Sequence, residues 1–121
     1  MPISSTIKEQ ELLEALQMAE GRADSLAIEQ AVGQLALFYI ATNRFSAAVP
    51  FWRRGAELLA VSTAPDSAEL ATYLHNMAAI CFMPAGLRDE ARATLLRARE
   101  LYRRHFSSDA QCLKDVEELL G

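Results

Sequence analysis

Apolar residues recur at helical spacing along the chain, and no alternation of apolar and polar positions persists for more than a few residues. The first segment carries one apolar stripe, Leu12, Leu13, Leu16 and Ala19, with Lys8, Glu9, Glu11, Glu14 and Gln17 elsewhere. The last is built the same way, Leu113, Val116 and Leu120 standing against Lys114, Asp115, Glu117 and Glu118. Leu35 to Ala41 and Met77 to Met83 are apolar almost all round, which suits helices with neighbours on both sides. The pattern predicts an all-α chain of six helices. They run over about 7–20, from Asp24 or Ser25 to about Thr42, and then over about 46–61, 67–82, 89–105 and 109–120. Thr6-Ile7-Lys8-Glu9 has the form of a capping box, and Gly21 offers a left-handed stop after Glu20. Asp24, Asp66 and Asp109 stand at the starts of the second, fourth and sixth helices. Asn43-Arg44 is a short turn, residues 62–66 form a loop by composition, and Pro84, Ala85 and Gly86 break the chain again.

A fixed period underlies this punctuation. The three aspartates are 42 and 43 residues apart. Leu35-Ala36 followed by Tyr39 recurs 42 residues on as Met77-Ala78 followed by Cys81. Ala48, Trp52, Arg54 and Gly55 recur 43 residues on as Ala91, Leu95, Arg97 and Ala98, the additional residue falling in the Met83 to Leu87 turn. The small residues allow two helices to approach closely, and Tyr39, Trp52, Cys81 and Leu95 fill the neighbouring grooves. Reuse of one hairpin in register is the physical meaning of such a repeat.

These units resemble tetratricopeptide repeats, with Leu-Ala, then an aromatic, then Ala-x3-aromatic-x2-small. The long period is similar to the kinesin-light-chain subclass. Ala48-Val49-Pro50-Phe51-Trp52-Arg53-Arg54-Gly55 resembles that subclass's Ala-x-Pro-Leu-aromatic-x-Arg-Ala, and Leu74-His75-Asn76-Met77-Ala78 its Leu-Asn-Asn-Leu-Ala. Gly33-Gln34 stands where the family places Asn-Asn, and Cys81 replaces the second aromatic. The resemblance implies one domain over 1–121. Its parts are a capping helix at 7–20, repeats at 24–61 and 66–105, and a second capping helix at 109–120, stacked as a superhelix. It also implies that the first helix of each hairpin lines a concave groove. That register assigns Gln30, Gly33, Gln34, Leu37 and Ile40 from the first unit and Thr72, His75, Asn76, Ala79 and Phe82 from the second, with Asp115 and Glu118 added by the cap. The family's carboxylate-clamp positions hold Gly33, Leu37, Asp115 and Leu119, and no groove lysine or arginine is found, so the expected ligand is an apolar or basic peptide rather than an acidic one.

Composition narrows the alternatives. At 121 residues, 51% hydrophobic and 23% charged, the chain has room for one domain and does not read as disordered. A net charge of -4 repels nucleic acid and anionic membrane. Cys81 and Cys112 lie in apolar helical stretches, the opening ten residues hold no apolar block, and Leu35 to Ala41 is far too short to span a bilayer. A cytoplasmic protein is expected.

No catalytic constellation emerges. The five glycines are scattered, so no phosphate-cradling loop is present. His75 and His105 lack partners at metal-ligand spacing, and His105 reads as a cation complementing a helix C-terminus after Arg103-Arg104. Cys81 and His75 lie on opposite sides of their helix, so neither activates the other. The fifth helix holds Arg88, Arg92, Arg97, Arg99, Arg103 and Arg104 against Asp89, Glu90 and Glu100; it reads either as a solvated surface paired with nearby carboxylates or as a docking strip. The expectation is therefore a non-enzymatic adaptor without cofactor or metal that binds another protein. The alternatives are a homo-oligomerising unit, since opposite charge at the two ends permits head-to-tail packing, and a regulatory fragment of a larger sensor.

Overall fold

Three of the chain's helix ends are closed by the same hydrogen-bonded joint, and these joints set where the next helices begin. The computed structural model describes residues 3–121, with side chains described from Ser5 onward. Among those residues the protein is all-α: α1 (Ile3–Gly21), α2 (Ser25–Ala41), α3 (Phe45–Ser62), α4 (Ala68–Asn76), α5 (Arg88–His105) and α6 (Gln111–Leu120). α4 runs on without a break into a π-helical segment, Met77–Phe82. No helix among the described residues is long and apolar enough to cross a membrane.

The recurring joint is a Schellman motif. Asp24 N donates to Ala19 O (3.2 Å), Arg44 N to Tyr39 O (2.7 Å) and Leu87 N to Phe82 O (2.9 Å). Inside each of these wide loops a second bond spans three residues, from Ala23 N to Glu20 O, Asn43 N to Ile40 O and Gly86 N to Met83 O. The residue that permits the reversal adopts a left-handed conformation: Ala23 (φ 51°), Asn43 (φ 59°) and Gly86 (φ 82°). Gly21, expected to make the first stop, is the last residue of α1, and the reversal comes two residues later at Ala23.

Helix starts follow the expectation at one site and depart from it elsewhere. The Asp24 carboxylate accepts from Ala27 N at 3.1 Å and caps α2. α1 begins at Ile3, so the capping-box sequence at Thr6–Glu9 lies inside the helix rather than at its end, and Glu9 serves a tertiary contact. α4 is capped by Ser67, whose hydroxyl accepts from Leu70 N at 3.0 Å, one residue beyond Asp66. Ala110 opens α6 without a side-chain bond, while Asp109 accepts from the Ser107 hydroxyl at 2.6 Å.

Packing divides the chain into two compact units, with the boundary inside α3 at Gly55 and Ala56. In the first, α1 and α2 are antiparallel, since Glu9 near the start of one meets Tyr39 near the end of the other. Leu12, Leu16 and Ala19 are buried with Val32, Leu35, Ala36 and Tyr39. Leu13 is 41% exposed, so α1 buries a narrower stripe than its sequence suggests. Ala48, Val49 and Trp52 are buried on α3, and the Phe51 ring stacks on Tyr39 at 5.6 Å between centroids. Ion pairs between Glu9 and Arg44 (2.8 Å) and between Glu20 and Arg54 (2.9 Å) fix the start of α3 beside the start of α1. The two helices therefore run parallel.

In the second unit α4, α5 and α6 alternate in direction. His105 at the end of α5 donates from Nε2 to Asp66 O just before α4 (2.6 Å), and Arg99 reaches Glu117 on α6 at 3.1 Å. Leu70, Leu95, Cys81 and Val116 are fully buried, each large aliphatic side chain contributing roughly 1.5–3 kcal/mol. Ala78 and Ala98 are also completely enclosed, as expected of close-approach positions. Both cysteines are free thiols.

Candidate functional site

In the second unit a polar chain crosses from α4 to α5 and meets acidic α6. The Tyr102 hydroxyl donates to Thr72 Oγ1 at 3.4 Å, and Thr72 Oγ1 donates to Ala68 O at 3.2 Å. With both hydroxyl protons used in this way, the 3.2 Å contact between His75 Nδ1 and Tyr102 Oη is donated by the imidazole. Nε2 of His75 is then left as an acceptor. The two rings meet edge to face at 5.9 Å between centroids. The body of Tyr102 is buried, whereas Thr72 is exposed and His75 half-buried.

Burial lowers the pKa of His75 below its ordinary 6.5, with Asp115 on α6 opposing the shift. Burial also raises the Tyr102 phenol. Gln111 Nε2 donates to Asp115 Oδ1 at 2.8 Å and so holds that carboxylate in place. Asp115 is the charge that raises the His75 pKa against burial. The cluster therefore presents acceptors, an uncharged imidazole nitrogen and a carboxylate, on a partly exposed face. Asn76 and Ala79 continue the α4 side of that face, exposed and half-buried respectively.

Phe82 does not join them. It is 2% exposed and belongs to the core. An α-helix turns by about 100° per residue, but π winding turns by less. Three residues on from Ala79, Phe82 has consequently fallen further behind that face than an α-helical register allows. Tyr102 and Gln111, which sequence reasoning did not select, complete the cluster. The available signal was a hydroxyl-bearing aromatic on the buried face of α5, needing a polar partner from a neighbouring helix.

In the first unit Gln30, Gln34 and Leu37 form one exposed stripe along α2, Leu37 being 61% exposed, while Gly33 and Ile40 are half-buried. Gln34 and Leu37 line a shallow depression of about 380 Å³ with Leu12, Phe38, Ala41 and Lys8. Lys8 corrects the expectation that no basic side chain accompanies these residues. It arrives there because α1 runs antiparallel to α2. Glu118 on α6 is exposed.

Among the described residues no three His, Cys, Asp or Glu side chains gather as a metal site requires. Four of the six α5 arginines have local partners: Arg99 and Arg103 share Glu117, Arg104 pairs with Glu100, and Arg92 donates to Leu120 O. No family model and no curated protein matches this chain.

Proposed function

We propose that this protein is a non-enzymatic, cytoplasmic interaction module of the tetratricopeptide kind that binds a peptide or helical segment of a partner protein. The observation that carries the reading is the Thr72–Tyr102–His75 hydrogen-bonded chain beside Asp115, a pre-organised row of acceptors on an accessible helical face. Groups held in place by their own neighbours lose little freedom on binding. The repeated Schellman joint supports the modular half of the reading, because equal joints are what repeated hairpins need. Such acceptors favour a ligand that brings donors, so a basic or amide-rich segment fits, with Ala79 offering a small apolar contact.

Selection from a displayed random-peptide library, followed by titration of the winners, tests this. Enriched peptides should carry Lys or Arg, and their affinity should fall about tenfold or more in Asp115→Asn, equivalent to about 1.4 kcal/mol. Asn76→Ala, at an exposed position, should weaken them further while leaving the melting curve in place. Winners that bind both variants as tightly as the native chain would show that the face is wrongly chosen.

A further inference from the structure

A second surface of the same unit has a different chemistry. Arg88, Ala91, Arg92 and Leu95 on α5 and Leu119 and Leu120 on α6 enclose an open cleft of about 420 Å³, with an apolar floor and two exposed arginines at its rim. Arg92 spends one N–H on the Leu120 carbonyl at 3.3 Å, and Arg88 makes no ion pair among the described residues. A guanidinium has five donors, so both arginines retain the capacity to receive carboxylates.

The chain itself carries a matching element. Ile7, Glu11, Glu14 and Met18 follow one another at four, three and four residues along α1, which places them on a single face. All four are exposed, Ile7 by 52% and Met18 by 58%. Glu9 and Glu20 are occupied by Arg44 and Arg54, but Glu11 and Glu14 have no ion-pair partner among the described residues. An acidic pair with an apolar residue on each side thus complements a basic pair above an apolar floor. The separations along the two axes, about 4.5 Å for Glu11 to Glu14 and about 6 Å for Arg88 to Arg92, are compatible with two simultaneous pairs. Exposed ion pairs alone contribute little, so Ile7 and Met18 supply the burial and the charges supply register and steering.

We propose that the Ile7–Glu11–Glu14–Met18 face of α1 in one copy seats in the α5–α6 cleft of a second copy. The contact is heterologous: each copy retains one free face and one free cleft, so assembly continues into a ring or an open chain. This is independent of the peptide-binding reading and uses none of its residues.

Sedimentation velocity on the full chain across a concentration series, at low and at high salt, tests the proposal. At low salt the weight-average mass should at least double over the series, and high salt should return it toward the monomer. The double variants Arg88→Glu with Arg92→Glu, and Glu11→Arg with Glu14→Arg, should each remain monomeric with an unchanged melting curve, all four positions being exposed. Mixing the two variants restores opposite charges at every contact and should restore the assembly. A native chain that stays monomeric to high micromolar concentration, variants that assemble like the native chain, or a folded mixture that does not recover mass would each overturn it.

Discussion

The Tyr39 hydroxyl donates to Glu9 Oε2 at 2.6 Å while Arg44 donates to Oε1 at 2.8 Å, so one carboxylate ties α1 both to the end of α2 and to the turn beyond. The Arg44 guanidinium also lies 4.8 Å from the centre of the Tyr39 ring. Bonds from Arg44 and then Tyr39 hold the Glu9 carboxyl below its ordinary 4.5, and burial followed by the Glu9 bond pushes the Tyr39 phenol up to about 12. A carboxyl lowered by folding stabilises the fold above its unfolded pKa, and that contribution is lost as pH falls through the folded value. Glu9→Gln should therefore flatten the decline of stability below pH 4.5 in urea melts recorded across the acid range. Tyr39→Phe keeps the ring and removes one hydrogen bond to a charged group, at an expected cost of about 1–2 kcal/mol at neutral pH.

Trp52 is buried on α3, 43 residues before the equally buried Leu95 of α5. Trp52→Ala should destabilise by about 3–5 kcal/mol through lost burial and the cavity left behind. Denaturant melts with a loss below about 1 kcal/mol would be incompatible with that packing.

His75 titrates below 6.5 because folding removes its ring from water. The neutral form is the one the fold accommodates, so the contribution is complete above the unfolded pKa and is lost as pH falls through the folded one. Following the ring protons of His75 by NMR should show this depressed midpoint. Asp115→Asn removes a charge that raises it and should drive the midpoint lower still.

Ala23 carries a left-handed backbone without the glycine that such a position favours. The strain is roughly 1–2 kcal/mol, and the entropy cost of introducing glycine, about 0.4–1 kcal/mol, offsets part of it. Ala23→Gly should therefore stabilise the chain by about 0.5–1 kcal/mol in thermal or urea melts. The same change at Asn43 should do less, since asparagine tolerates this conformation.

Element identity was readable in the sequence because the signals are local. The apolar stripes, Asp24 as a cap and the breaks at Asn43 and Gly86 all depend on a few adjacent residues, and the helices fall close to where those residues put them. What escaped was set by distant partners or by backbone geometry. Glu9 looks like half of a capping box and is instead drawn into a pair with Arg44, 35 positions on. The left-handed residue after α1 is an alanine, which carries no compositional mark. Thr72, His75 and Asn76 were selectable as polar residues on an apolar helix, but the hydroxyl that organises two of them comes from Tyr102, 30 and 27 residues away. Phe82 leaves the face its spacing leads one to expect because Met77–Phe82 does not keep α-helical winding.

The wide winding at Met77–Phe82 takes up one residue of chain. The joint that follows, Phe82 to Leu87, has the same two hydrogen bonds as Tyr39 to Arg44, 43 residues earlier, whereas Met77-Ala78 follows Leu35-Ala36 by 42, so the additional residue lies in the π-helical stretch before Phe82 and not, as the sequence leads one to expect, in the Met83 to Leu87 turn. The additional residue is absorbed upstream by loosening the coil, and the outgoing helix still leaves through an unaltered corner. One residue is thus accommodated before the corner without redirecting the helix that leaves it.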